Sequence, residues 1–230
     1  MLAQRGRDAG RGDVAPAAEA RGIPHGANAA EALPLGDVVE VCVLYLRVPV
    51  GTYMRRGEEV IEVLGGTSPE PAEVLKALNC SPARTLYQDP SYGIRQLVDI
   101  AIRALSPAVN DPTTAVQSLD RLHGVLRAVA GRPDPSGCYL DPLGAVRLVG
   151  PVAGWDRLVD LAFTEIGLYG SGSPQVTRKL FAIFDDLDRC VPPERRASLD
   201  ALRGWLRDEV ARRLRLPGDR ALVADPLGLG

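Results

Sequence analysis

The sequence predicts an α+β protein, mainly α, in which an N-terminal β-hairpin region packs on a helical domain of about five helices. Three observations favour this fold class. Apolar residues alternate along 38–50 and glycine turns follow, a pattern typical of strands joined by a hairpin. From about residue 68 onward, apolar residues recur at helical spacing. Most of the helical segments begin at or near a proline, which is favoured in the first turn of a helix and disfavoured in its interior.

The chain of 230 residues suits one or two domains. Residues 1–20 show no hydrophobic periodicity, so we expect a disordered tail there and a second, flexible tail over 216–230. Between the tails, the change in periodicity predicts a small β-region over 21–66 and a helical domain over 67–215.

Start and stop signals place the individual helices. Asp89-Pro90 and Asp111-Pro112 each combine a carboxylate, which can accept backbone N–H groups, with a proline in the first helical turn. Gly131 ends the second of these helices. A short helix and five longer ones are predicted, over about 68–79, 90–105, 112–130, 155–168, 174–189 and 193–213, with a short strand in 145–150.

Composition argues against several classes of function. The formal net charge of −2 disfavours nucleic-acid binding, which normally goes with a basic surplus. No segment approaches the roughly 20 apolar residues of a membrane span, and the N-terminus lacks the apolar core of a signal peptide. Almost all basic residues are arginine, as in proteins of GC-rich bacterial genomes, so a single arginine is weak evidence for a site. These features predict a soluble, cytoplasmic protein.

Neither a metal nor a cofactor is predicted. The glycine hairpin in "VPVGTYMRRGEEVIEV" is similar in shape to biotinyl- and lipoyl-type hairpins, yet no lysine stands in its turn to carry a cofactor. Zinc sites use closely spaced ligands, whereas the four cysteines lie far apart without a CxxC pair. We expect reduced, mostly buried thiols at these positions, namely Cys42, Cys80, Cys138 and Cys190.

The segment "SYGIRQLVDIAIRALSPAVNDPTTAVQSLDRL" places charges on a helix that is otherwise apolar. Arg95, Asp99 and Arg103 recur every fourth residue and therefore lie on one face of that helix. One interpretation is a narrow solvated stripe. The other is a polar interface between packed helices, in which these charges are at least partly buried. They would then pair with groups from 84–89 or 117–121, because an unpaired buried charge is costly.

A polar interface of this kind could also hold an anion. Two helix N-termini bring partial positive charge nearby, and arginine is a planar donor that stays charged, so the ligand would be anionic or strongly polar. We expect the arginines on one wall and an Asn-Asp pair at the mouth, although capping of the following helix is the other role for that pair. The predicted ligand-binding residues are Arg84, Asp89, Arg95, Asp99, Arg103, Asn110, Asp111 and Asp120.

No catalytic motif identifies the chain as an enzyme or excludes it. The candidates for acid–base work are Asp99, Asp111 and His123, with the arginines as clamps on an anionic transition state. A lone histidine in a helix is more often structural, and no nucleophile with an adjacent base is apparent. A small lyase, cyclase or hydrolase of bacterial specialised metabolism therefore stays an alternative to a binding module.

The stretch "RTLYQDPSYGIRQLVDIAIRALSPAVNDPTTAVQSLDRL" resembles the signature of a bacterial family of predicted membrane proteins, domain of unknown function 2254. The resemblance extends more loosely through "RVPVGTYMRRGEEVIEV" and "AFTEIGLYGSGSPQV". It implies a soluble region that follows N-terminal membrane helices, and it supplies no established catalytic residues. We expect the membrane half to be absent from this chain. "EIGLYG" also departs from the family, with Gly167-Leu168 where the resemblance implies a polar Arg-Gln-type pair.

The expected function is that of a binding module for a small anionic or polar ligand, or of a docking module for a partner. The resemblance suggests a membrane protein as one macromolecular partner, and a second copy of the chain is another. Nucleic acid is not an expected partner.

Overall fold

A computed structural model of the chain describes residues 42–78, 80, 84–86 and 89–214, together with the backbone of residues 2–4. Six α-helices lie within these ranges: α1 (Pro71–Ala77), α2 (Pro90–Ala104), α3 (Pro112–Ala130), α4 (Trp155–Gly170), α5 (Pro174–Cys190) and α6 (Arg196–Arg213). A 3-10 turn at Pro193–Arg195 precedes α6. The predicted fold class, α+β and mainly α, is confirmed.

Local signals decide where the long helices begin and end. Both α2 and α3 start at the prolines of the two predicted Asp-Pro pairs. Asp111 caps α3 by accepting a hydrogen bond from the backbone N–H of Thr114 at 3.1 Å, and Gly131 follows its last residue as predicted. Ser173 precedes α5 without a side-chain capping hydrogen bond, so the proline after it is the remaining start signal there.

The chain forms two compact units that alternate along the sequence. The first unit holds the described residues up to Asp89 and also Pro135–Val152; the second holds Pro90–Asp134 and the described residues from Ala153 onward. The sequence suggested a single boundary between residues 66 and 67. The structure differs because two strands from 135–152 complete the sheet of the first unit.

The sheet of the first unit has the strand order β1-β3-β2-β5-β4. Its strands are β1 (Leu2–Gln4), β2 (Val43–Leu46), β3 (Ile61–Leu64), β4 (Cys138–Leu140) and β5 (Val146–Val149). β2 and β3 form the predicted antiparallel hairpin, β5 runs parallel to β2, and β4 runs antiparallel to β5. The strand expected in 145–150 is therefore present and lies inside the sheet.

The two predicted tails fall largely outside the described residues. β1 pairs in parallel with β3, so residues 2–4 form a strand at the start of a segment that we expected to be disordered. The rest of 1–20 and the whole of 216–230 lie outside the residues that the structure describes.

Each unit has an apolar core of its own. In the first, one face of the sheet, including Leu44 and Val63, packs with Val74 of α1. In the second, α2 packs against both α3 and α4, and α4 packs against α6. Phe163 of α4 and Phe184 of α5 meet edge to face with ring centroids 5.3 Å apart. The second unit therefore fixes α2 and α4 side by side, and these two helices carry the candidate site.

Candidate functional site

Arg95 links α2 to α4. Its Nε lies 2.8 Å from Asp99 Oδ1 on the same helix, and its Nη2 donates to Glu165 Oε2 on α4 at 2.9 Å. Its Nη1 donates to the other Glu165 oxygen, so the guanidinium holds that carboxylate with two parallel hydrogen bonds. These bonds hold the pKa of Glu165 below its ordinary value. The pair fastens α2 and α4 to each other on the side of α2 that faces solvent.

One prediction about the charges on α2 is wrong. We expected Arg95 to pair with a group from 84–89 or 117–121, whereas its partner from another helix is Glu165, 70 positions further along the chain. The side chain of Asp99 is 47% exposed, and Arg103 is exposed. The stripe is therefore solvated along most of its length and anchored to α4 at one point.

A shallow depression of about 380 Å³, here named the α2–α4 depression, lies between these two helices. It is lined by Asp99, Ile102, Arg103, Ser106 and Tyr169. The side chains of Arg103, Ser106 and Tyr169 make no hydrogen bond or ion pair with any residue that the structure describes. Three donors that the fold does not use therefore lie around one apolar side chain.

Arg84 and Asp89 form a separate pair in the first unit. Arg84 Nε and Nη2 both donate to Asp89 Oδ2, at 3.0 Å and 2.5 Å, and Asp89 is buried. Gly51, in the loop between β2 and β3, lies so close that a Cβ there would be 2.6 Å from Arg84 Nε. The pair therefore supports the hairpin of its own unit.

Asn110 and Asp111 shape the turn between α2 and α3. Asn110 has a positive φ of 47°, which asparagine tolerates better than most residues. Asp111 accepts hydrogen bonds from both the backbone N–H and the hydroxyl of Thr114, which lower the pKa of its carboxyl. The capping role that the sequence offered as the alternative is thus present in the structure.

The remaining two predicted residues each contact α5. Asp120 pairs with Lys179. His123 Nε2 lies 2.8 Å from Asp186 Oδ2. Hydrogen bonds from Arg127, and then from His123, lower the pKa of Asp186 to about 2. These contacts join α3 to α5, so Asp120 and His123 both have partners within the second unit.

Sequence reasoning missed Glu165 and Tyr169, although a signal was present. They stand four positions apart in "EIGLYG", so they lie on one face of α4, as Arg95 and Asp99 do on α2. The spacing was visible in the sequence, but the packing of that face against α2 was not.

The departure in "EIGLYG" has a steric explanation. A Cβ on Gly167 would lie 2.8 Å from Trp205 Cζ3 on α6. Leu168, next to it, is exposed. In this chain the tryptophan therefore occupies the space beside residue 167, and a long polar side chain there would have to displace its ring.

A buried arginine that the sequence did not single out is structural. Arg195 donates to the carbonyls of Val129 and Ala130 at the end of α3 and to Asp134 Oδ1, and its guanidinium lies over the ring of Trp155. It supplies a partner for the Ala130 carbonyl, which the helix C-terminus leaves unpaired, and an additional one for the Val129 carbonyl, which also accepts the backbone N–H of Arg132. All of its described contacts are within the fold.

Two kinds of feature are absent from the described residues. These residues contain no cluster of three or more histidine, cysteine or acidic side chains suited to a metal ion. Within the same ranges, no helix combines the length and the apolar character needed to cross a membrane.

Comparison with known proteins places the chain in a family. Residues 39–186 match the family described as "Predicted membrane protein (DUF2254)". Uncharacterized proteins of Mycobacterium bovis and Mycobacterium tuberculosis are 33% identical to it over 154 residues, which is 66% of this chain and 30% of each relative. The chain thus spans less than a third of the length of the curated relatives that it matches. No solved structure matches it.

The family match includes α2, the α2–α4 depression and the Arg95–Glu165 pair, and it covers well over half of the 230 residues. The chain therefore belongs to the predicted membrane protein family DUF2254.

Proposed function

We propose that this chain binds a small anionic or strongly polar ligand in the α2–α4 depression. The proposal rests chiefly on Arg103, whose guanidinium is exposed and has no ion-pair partner among the described residues. The hydroxyls of Ser106 and Tyr169 line the same depression and are equally unengaged. Arginine can grip a carboxylate or a phosphate with two parallel hydrogen bonds, and hydroxyls can donate the next ones.

Arg95 and Glu165 have a supporting role in this proposal. They fasten α2 to α4 directly beside the depression and so hold its two walls at a fixed separation. A site with preset donors loses less conformational entropy on binding than one whose walls must first come together. Arg95 itself is engaged by two carboxylates and is not a free ligand group.

A melting screen with acetate and inorganic phosphate tests the proposal. A ligand at about a hundred times its Kd stabilises a protein by about 2.7 kcal/mol. For a chain of this size, that is a rise in Tm of roughly 5–10 °C. Arg103→Ala should remove the rise. The matched control is Arg207→Ala, which deletes an equally exposed helical arginine of α6.

The outcomes separate the proposal from a general effect of salt. A rise seen in wild type and in Arg207→Ala, but missing in Arg103→Ala, would support the site. A rise of equal size in all three proteins would show that the anions act elsewhere. No rise in wild type at any concentration would contradict anion binding.

We further propose a cytoplasmic location and a membrane-embedded protein as macromolecular partner. The support is the family description and the relatives, of whose length the chain matches only 30%. A tagged chain expressed in its native cells is expected in the membrane pellet and should leave it in alkaline carbonate, as a peripheral protein does. Recovery in the supernatant before that wash would contradict docking.

The geometry favours binding over the alternative of an enzyme. The three candidates for acid–base work have separate local roles: Asp99 lies at the depression, Asp111 caps α3 and His123 pairs with Asp186 on α5. General acid–base catalysis needs such groups within hydrogen-bonding reach of one reacting centre.

A further inference from the structure

We infer that the ligand of the α2–α4 depression is a zwitterion, a small amino-acid-like molecule that places its carboxylate at Arg103 and its ammonium at Asp99. This inference rests on the proposed function, since it names the ligand class of the same site. It goes further because it predicts that a simple anion is a poor ligand and that a second, negative group of the protein takes part in recognition.

The depression carries charges of both signs. Asp99 and Arg103 both line it and stand four residues apart on α2. Asp99 Oδ1 lies beside Arg95 Nε, whereas its second oxygen makes no hydrogen bond to a described residue. One wall therefore offers a free carboxylate oxygen and a free guanidinium, which is a pattern for two opposite charges.

The direction of the two helices disfavours a pure anion. The depression lies at the C-terminal ends of both walls, since α2 ends at Ala104 and α4 ends at Gly170. A Cβ placed on Gly170 would be 3.4 Å from Leu105 Cδ1, so these two ends are adjacent. A helix C-terminus carries partial negative charge, which favours cations and opposes anions. Among the charged groups that line the depression, Arg103 is the one that would attract a pure anion.

An aromatic side chain also favours a cationic group. Tyr169 lines the depression and is 53% exposed, so part of its ring is open to a ligand. An aromatic face attracts an ammonium group, and a neighbouring carboxylate adds to that attraction. Tyr169 and Asp99 together therefore suit a cationic group, whereas Arg103 and Ser106 suit a carboxylate.

The helix sets the spacing between the two charges. Four residues of an α-helix rise about 6 Å along the axis. A ligand that reaches both Asp99 and Arg103 should therefore carry its charges several bonds apart, as an ω-amino acid does. We choose γ-aminobutyrate as the probe, with butyrate and butylamine as matched ligands that each keep one of its charges.

Calorimetric titration of the full chain with the three probes tests the inference. γ-Aminobutyrate should bind at least about tenfold more tightly than either matched ligand, the effect of one added charge-assisted hydrogen bond. Asp99→Asn should weaken γ-aminobutyrate by about tenfold and leave butyrate unchanged or slightly tighter. Arg103→Met should weaken γ-aminobutyrate and butyrate alike, and Arg207→Met should change neither.

Different results would contradict zwitterion binding and anion binding. Equal affinities for γ-aminobutyrate and butyrate, with no effect of Asp99→Asn, would overturn the zwitterion and leave anion binding intact. Failure of all three probes, acetate and phosphate would overturn both. Far-UV circular dichroism of each variant checks the fold, and the exposed Asp99 and Arg103 side chains make folding of these variants the expected result.

Discussion

Replacing Gly51 with alanine is expected to destabilise the first unit for two reasons, backbone strain and a steric clash. Gly57, in the same loop, is a control for the strain. Its φ is +81°, a conformation that side chains disfavour, and an added Cβ would lie 2.6 Å from Arg84 Nε and closer still to Asp89 Oδ2. Gly57 has a φ of +90° but no atom within 4 Å of its added Cβ. Gly51→Ala therefore combines backbone strain with a clash, whereas Gly57→Ala has the strain alone.

The two contributions can be given magnitudes. A residue with a Cβ in the left-handed region costs about 1–2 kcal/mol, and both variants share this cost. Forcing an extra methyl group into a packed site adds about 1–3 kcal/mol. In this case the methyl group must also displace the hydrogen bonds of Asp89, which is only 6% exposed. We expect Gly51→Ala to lose about 2–5 kcal/mol and Gly57→Ala about 1–2 kcal/mol.

Hydrogen exchange measured by mass spectrometry is the suitable assay, because it reports the opening of a chosen segment. The tryptophans Trp155 and Trp205 are in the second unit, so their fluorescence would not report directly on this loop. Peptides that cover β2 and β3 should exchange faster in Gly51→Ala than in Gly57→Ala. The difference should be roughly 5- to 100-fold, since each factor of ten corresponds to about 1.4 kcal/mol.

Equal losses in the two variants would refute the clash, and an unchanged Gly57→Ala would refute the strain. A double-mutant cycle isolates the clash further. Where Asp89→Ala has removed the carboxylate, Gly51→Ala should cost about as much as Gly57→Ala, because the remaining Arg84 side chain is flexible and can move away.

Three further predictions follow from contacts within the helical unit. In Gly167→Ala the gain in helix propensity is outweighed by a clash with the α6 tryptophan that costs about 1–3 kcal/mol, so stability should fall by up to about 2 kcal/mol. Gly124→Ala, with no atom within 4 Å of the added Cβ, should raise it by about 0.5–1 kcal/mol; urea denaturation measures both. Arg195→Met should cost about 1–3 kcal/mol, chiefly by orphaning the Ala130 carbonyl, since the Val129 carbonyl keeps the backbone N–H of Arg132; the exposed Arg207→Met should be near neutral. The pKa of Asp186 is lowered from 3.8 to about 2, so its charge stabilises the fold above pH about 4 and this contribution disappears as the pH falls through about 2. Asp186→Asn should therefore flatten the dependence of Tm on pH in that window, and an unchanged slope would contradict the assignment.

The helices could be predicted because their boundaries are set by neighbouring residues. A capping carboxylate followed by proline acts within one turn, and the starts of α2 and α3 were predicted to the residue. The sheet could be predicted only where a hairpin joins consecutive strands. The pairing of β5 with β2 brings together Leu148 and Leu44. No local sequence pattern in 135–152 indicates that its strand pairs with one about a hundred positions earlier in the chain.

The site was predicted in part for the same reason. The line of charges on α2 follows from spacing alone, which is a local property. The partner of Arg95 depends on which helix packs beside α2, and this is decided by the apolar faces of α2 and α4 and not by the charges. Glu165 therefore could not be chosen from the several acidic residues of the chain. Arg84 and Asp89 were predicted for the same site because they are near in sequence; in the structure they form an ion pair with each other in the first unit.

The charged residues of this chain differ in whether they have a structural role in the fold. This difference is the physical reason for choosing one site over another. Asp89 is buried in an ion pair, Asp111 caps a helix and Arg95 bridges two helices. Each has a structural reason to be a charged residue, whether or not a ligand exists. Arg103 and Tyr169 have none, because neither makes a side-chain hydrogen bond or an ion pair within the described residues. A long, rotamer-rich side chain gains little stability at an exposed position without a partner, so it can be replaced there at small cost. The role that we propose for these two residues is ligand recognition, and binding measurements on their variants test that role without a loss of fold.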